Sequence, residues 1–202
     1  EHAKEYDVDP NRIGVFGNSS GGHLALLLGT TGGSGNPSAS DPVLRQSSRV
    51  AAVVANYPGT DLARLAIHLP FLNITAAEAA EFSPIRFVSP RSAPSLIAHG
   101  DADTTVPVDQ GEMMYAALMK AGVPASFIPI RGAGHGFEGA DGERAFAALI
   151  QWFEQHLGVQ PVADAAAAAP RDRDAELRAA EQRVQQRQAP IAELRQRFVG
   201  GP

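Results

Sequence analysis

Apolar positions along this chain come in short runs that alternate with stretches of helical spacing. Ile13, Val15 and Phe16 mark residues 12–16 as a short strand, introduced by the turn Asp9-Pro10-Asn11 and closed by Gly17. Residues 20–28 read as a helix, and the Gly/Ser/Pro-rich residues 29–42 as a loop. Residues 50–56 are apolar almost throughout, as in a parallel strand covered on both faces, and Tyr57-Pro58-Gly59 stops them. Pro70, Pro84 and Pro90 break residues 60–92 into short helical pieces. A third strand is expected over 95–98, ending at His99-Gly100, and then an amphipathic helix over 108–121 with Met113, Met114, Ala117 and Leu118 on its apolar side as core filling. A fourth strand over 125–130, a glycine-rich loop and a helix over 142–157 complete the pattern. Strands alternating with helices imply an α/β fold with a mostly parallel sheet and helices on both faces. Reactive groups then belong at the C-terminal ends of the strands.

The character changes after Gly158. Residues 1–158 are expected to form the core, 159–174 an Ala/Pro-rich linker, and 175–202 a charged helical extension. Leu177, Val184 and Ile191 recur every seven residues, but Pro190 interrupts the repeat. A partly ordered charged tail and a helix for self-association are the two readings of this segment. At the other end, residues 1–6 read as the last turns of a helix, with no initiator methionine and no signal peptide. The chain is therefore expected to be the C-terminal part of a longer protein. Strand 12–16 would then carry an apolar, unpaired edge, a second route to self-association.

Composition narrows the ligand class. In 202 residues, 44% hydrophobic and 19% charged content fits one globular domain with an appendage. Basic and acidic residues, 17 against 22, give a net charge of −5, which offers no cationic face to nucleic acid and suits small neutral or mildly polar ligands. The absence of cysteine excludes disulfides and thiolate chemistry and leaves the compartment undetermined. The longest apolar stretch, around residues 24–28, is far short of the roughly 20 residues of a membrane helix, so no membrane partner is expected. No His/Asp/Glu cluster has metal-ligand spacing and no glycine loop carries the lysine of a phosphate cradle, so neither metal nor cofactor is expected.

The chemistry concentrates in Gly17-Asn18-Ser19-Ser20-Gly21-Gly22, a G-x-S-x-G pattern between an expected strand and an expected helix. In so tight a turn Ser19 must project in a strained conformation, with Gly17 and Gly21 expected to remove Cβ atoms that would collide. The backbone N–H of Ser20, at the helix N-terminus, can stabilise an oxyanion. Ser20 is the rival nucleophile, but Asn18, two residues before it, is not glycine. A bland alternative is a Gly/Ser turn that caps a helix.

A serine hydroxyl needs a base, and the base needs a carboxylate to fix its tautomer. Asp103 follows the third strand and His135 the fourth, giving the chain order Ser, Asp, His. Asp101 competes as the acid, though its place nearer the strand end suits a loop brace. His23 is expected as a packed or hydrogen-bonded helix residue, Asp61 as a helix cap, and His99 as a fixture of the strand end. His2, His68 and His156 stand outside any motif.

At these residues the chain resembles the α/β-hydrolase superfamily, and within it the carboxylesterase group of bifidobacterial-type feruloyl esterases and acetyl-xylan esterases. The likeness covers about residues 1–157. It rests on Asp9 to Ile13, Gly17 to His23, Asn56-Tyr57-Pro58, Thr60-Asp61-Leu62, His99 to Pro107 and Gly132 to Phe137. The resemblance implies Ser19 as nucleophile, Asp103 as acid, His135 as base and Ser20 as an oxyanion-hole donor. It implies a small-molecule ester as substrate, short acyl or aryl, with plant-polysaccharide decorations among the candidates. Members of that group carry an upstream His-Gly-Gly-type loop and further strands, which these 202 residues lack. The segment His99 to Pro107 is shared with prolyl-oligopeptidase-type peptidases, the second reading, though those usually have an aromatic residue where Ser20 stands. A non-catalytic hydrolase-fold module is the third.

Overall fold

The computed structural model describes residues 2–68 and 74–158. The linker and charged extension expected over 159–202, with Leu177, Val184 and Ile191, lie outside the described residues. Four strands, β1 (Gly14–Asn18), β2 (Ala52–Asn56), β3 (Ser95–Gly100) and β4 (Ala125–Ile130), form a parallel sheet in the order β1-β2-β3-β4. Helix α1 (Ser20–Thr31) connects β1 to β2. Helices α2 (Leu62–His68) and α3 (Ala76–Phe82) and a 3₁₀ turn at Pro84–Phe87 lie between β2 and β3. Helix α4 (Asp109–Lys120) precedes β4, and α5 (Gly139–Leu157) follows it.

The continuous apolar run of β2 has a direct cause, because all five of its residues are buried. Val53 and Ala55 face a core of Ala25 and Leu26 from α1, Ile97 from β3, and Met114 and Leu118 from α4. Val54, pointing the opposite way, packs with Leu96 and with Leu149 of α5. Alternate side chains of Ala52–Ala55 thus serve two helical layers, and the buried polar Asn56 closes the strand.

Several boundaries differ from the sequence reading. β1 starts at Gly14 because the Arg12 N–H still closes the preceding turn on the Asp9 carbonyl (3.1 Å), while its Nε and Nη2 donate to the carbonyls of Leu157 (2.6 Å) and Gly158 (3.1 Å) at the end of α5. α1 runs through Gly29 to Thr31, into the expected loop. Gly29 is a contact rather than a break, since a Cβ there would lie 2.5 Å from Cγ2 of Val53. The hydroxyls of Thr30 and Thr31 donate back to the carbonyls of Leu26 and Leu27 in the last turn. α5 starts at Gly139, three residues before the expected 142, and β3 reaches Gly100. Near the start of the chain, a single turn closed by the N–H groups of Glu5 and Tyr6 on the His2 carbonyl stands where helical turns were expected.

Along β1, Phe16 is exposed, as are Ile13 just before it and Phe146 and Ile150 on α5. β1 is an edge strand of this sheet.

Candidate active site

The turn from β1 into α1 presents Ser19 at φ 52° and ψ −119°, a region non-glycine residues seldom adopt. Two restraints hold it there. Its N–H donates to the Asn56 carbonyl at the end of β2 (2.9 Å), and its carbonyl accepts the N–H of His23 (3.0 Å). A Cβ on Gly17 would stand 2.2 Å from the Gly21 carbonyl group, so Gly17 is sterically required. Gly21 is not: a Cβ there meets nothing within 4 Å, contrary to the sequence expectation. The second tight glycine is Gly22, whose Cβ would lie 3.0 Å from the Asn56 carbonyl oxygen. The helix packs against the end of β2 through its second glycine, while the first faces open space.

From this turn the Ser19 hydroxyl reaches His135. Its Oγ is 2.8 Å from Nε2 of His135, and Nδ1 of that ring is 2.7 Å from Oδ2 of Asp103. The Asp103 side chain is fully buried, and its Oδ1 accepts the N–H groups of Thr105 and Val106, each at 2.9 Å. Oδ2 of Asp103, an acceptor, faces Nδ1, and this fixes which imidazole nitrogen carries the proton. The ring then donates through Nδ1 and offers the lone pair of Nε2 to the serine. The structure thus brings Ser19, Asp103 and His135 together in one chain of hydrogen bonds.

The loops that carry Asp103 and His135 are bound to each other. Asp101 accepts the N–H of Gly132 (2.6 Å), a bond between loops and away from the imidazole. The N–H of Ala102 donates to the carbonyl of Ala133 (3.0 Å). Gly100 permits this crossing, since a Cβ there would come within 2.2 Å of the Ala133 carbonyl oxygen.

Ser20 opens α1 and is exposed, so its N–H lies at a helix N-terminus with no intrahelical acceptor. His23 donates through Nδ1 to the Gly59 carbonyl (2.9 Å), tying α1 to the chain after β2, and burial holds its pKa below the usual value against the opposing effect of that bond. Asp61 caps α2 by accepting the N–H of Arg64 (3.1 Å). The sequence reading missed Tyr57. Its φ of 40° is an outlier for an aromatic residue, and its ring sits edge-on to His135 (4.8 Å) and to Phe137 (4.9 Å). Burial, with the Asp103 charge second, raises the pKa of its phenol. The sequence signals were the residue's place just beyond a strand end and its membership of Asn56-Tyr57-Pro58. Among the described residues no group of three or more His, Asp or Glu side chains could hold a metal ion.

Residues 1–118 match the BD-FAE family. The chain belongs to this family. The match spans the Ser19 turn and Asp103, and His135 lies beyond it. Esterase LipC of Mycobacterium tuberculosis is 31% identical over 155 residues, 69% of this chain and 38% of LipC. Among solved structures, the acetyl ester-xyloside bifunctional hydrolase of Caldicellulosiruptor lactoaceticus aligns at TM-score 0.64 and 32% identity, over 78% of this chain and 58% of that one. A carbohydrate esterase from gut microbiota, solved in truncated form, aligns at TM-score 0.65 and 29% identity, over 78% and 64%. The fold of this BD-FAE member is that of the α/β hydrolases, and the chain spans well under two thirds of LipC.

Proposed function

We propose that this BD-FAE member hydrolyses carboxylic esters through an acyl-enzyme on Ser19. The observation that carries the reading is the hydrogen-bond path from Ser19 Oγ through His135 to Asp103, at 2.8 and 2.7 Å. Ser19 Oγ attacks the ester carbonyl carbon while Nε2 of His135 takes the hydroxyl proton. Asp103 Oδ2 accepts the Nδ1–H and stabilises the imidazolium. The N–H of Ser20 donates to the developing oxyanion. His135 returns its proton to the leaving alkoxide, the alcohol departs, and water enters by the same proton route to release the acid and free Ser19. The reading needs neither metal nor cofactor.

Similarity to proteins named as esterases favours ester substrates, and similarity to an acetyl ester-xyloside hydrolase favours short acyl groups on carbohydrate. A second oxyanion donor, which the family likeness puts upstream of residue 1, would add on the order of 2.7–4 kcal/mol of transition-state stabilisation. Cleavage of amides is the weaker reading, because Ser20 stands where peptidases of the related type have an aromatic residue. The net charge of −5 disfavours nucleic acid as a partner, and no helix among the described residues is long and apolar enough to cross a membrane. The exposed Phe16 beside the outer edge of β1 is where we place self-association through strand pairing.

The test is Ser19→Ala against short-chain aryl esters in the full-length protein, together with labelling by a fluorophosphonate. Ester turnover should fall at least about 10³-fold and the covalent adduct should map to Ser19. Undiminished turnover in the variant, or no adduct on a folded parent, would overturn the reading.

A further inference from the structure

His99 is the most deeply buried histidine of the site, and the steps above do not use it. It lies in β3 with no exposed side-chain surface, beneath the Asp103 carboxylate. Its Nε2 is 2.9 Å from the carbonyl oxygen of Val106. A carbonyl can only accept, so Nε2 carries the hydrogen and Nδ1 the lone pair. Nδ1 has no hydrogen-bond partner, and α4 presses against it at Gly111, where a Cβ would lie 2.9 Å away. The ring therefore has one polar hydrogen and one direction in which to point it. Asp103 Oδ2 lies 3.4 Å from the same Nε2, farther than the Val106 carbonyl oxygen but within ion-pair reach. Oδ2 is also the oxygen that takes the Nδ1–H of His135 at 2.7 Å.

We propose that His99 is a positioning residue for the acid: its Nε2–H, divided between the Val106 carbonyl and Asp103 Oδ2, fixes the carboxylate and moderates its pull on His135. This rests on the triad reading above and goes beyond it. The loop from β3 to α4 must hold Asp103 at one orientation while the adjacent ring gains and loses a proton twice per turnover. Two backbone donors restrain Oδ1, but only side chains reach Oδ2. His99 grips the loop at both places, by the Val106 carbonyl and by the carboxylate. Burial, the largest influence on it, holds the His99 pKa below the ordinary value. The ring thus stays neutral and does not compete with His135 for the proton. A phenyl group in its place would fill the volume and leave Oδ2 with one neighbouring donor fewer. The carboxylate would then attract the imidazolium form of His135 more strongly and keep it protonated to higher pH. The titratable and charged groups facing His135 are Asp103, His99 and Tyr57, with the Ser19 hydroxyl on its other nitrogen.

The test compares His99→Gln with His99→Asn in the full-length protein. The glutamine amide nitrogen reaches the position of Nε2, whereas that of asparagine reaches only the position of Nδ1. With an aryl ester, kcat should fall on the order of tenfold in His99→Asn, the scale of one hydrogen bond. It should stay within roughly threefold of the parent in His99→Gln, with KM unchanged in both. The acid limb of the kcat/KM profile should move to higher pH in His99→Asn alone. The same contrast should appear in the downfield proton resonance of His135 Nδ1–H, which is read without turnover. Equal losses in the two variants, or a limb and a resonance that neither variant moves, overturn the role of His99. If the parent itself lacks ester turnover and Ser19→Ala changes nothing, the esterase reading falls, and the resonance alone then decides the His99 proposal.

Discussion

Gly17 and Gly21 flank the same serine with very different steric demands. Replacing Gly17 by alanine would drive a Cβ into the Gly21 carbonyl group, where only backbone could give way. Gly17→Ala is expected to cost more than about 3 kcal/mol in denaturant unfolding, or to abolish fluorophosphonate labelling in a chain that still folds. Gly21→Ala should be neutral or stabilising by up to about 1 kcal/mol, since it adds a helix former in open space. Asp103→Asn should lower ester turnover by roughly 10⁴-fold without unfolding, because an amide cannot hold the tautomer that Nδ1 now adopts. A kcat within tenfold of the parent would contradict that role. Ser19, Asp103 and His135 could be singled out from sequence because each follows an apolar run that ends in a turn. The role of Tyr57 could not be read so directly, because the rings it meets, His135 and Phe137, come from the other end of the chain.

Helix and strand types were readable where both periodicity and punctuation agreed, as in β2, β4 and α4. Their ends were less readable, because distant residues set them. α1 passes through Gly29 for want of space beside Val53, a demand that local sequence does not contain. Gly29→Ala should therefore destabilise by about 1–3 kcal/mol, as overpacking does. Val53→Ala, itself destabilising, should recover much of that loss when combined with it. Strict additivity in that double-mutant cycle would show that the two positions do not meet. The start of β1 is set by the turn that the Arg12 N–H closes on Asp9, and the Arg12 side chain serves the carbonyls at the end of α5. Arg12→Ala should lower the melting temperature by a few degrees, the effect of losing a helix C-terminal partner of about 1 kcal/mol.

Across the molecule, His23, His99 and His156 share one response to pH. Burial is the largest influence on each and depresses each pKa below 6.5. In the unfolded chain these rings take up protons near pH 6.5, and in the folded chain they do so only at lower pH. The unfolded state thus binds more protons below about pH 6.5, and stability must decline as pH falls through that region. Urea unfolding at pH 7.5 and 5.5 should give the lower free energy at 5.5, with a shallower difference in His99→Gln. Equal stability at the two values would remove this account. The architecture also divides the site unevenly. The loops of Asp103 and His135 are laced together by Asp101 to Gly132, Ala102 to Ala133 and the crossing at Gly100, whereas Ser19 arrives on β1 and is anchored to β2. The proton relay can therefore assemble without regard to what stands at position 19. A thiol placed there would meet the same imidazole, so the scaffold lends itself to exchange of its attacking atom while the rest of the machinery stays untouched.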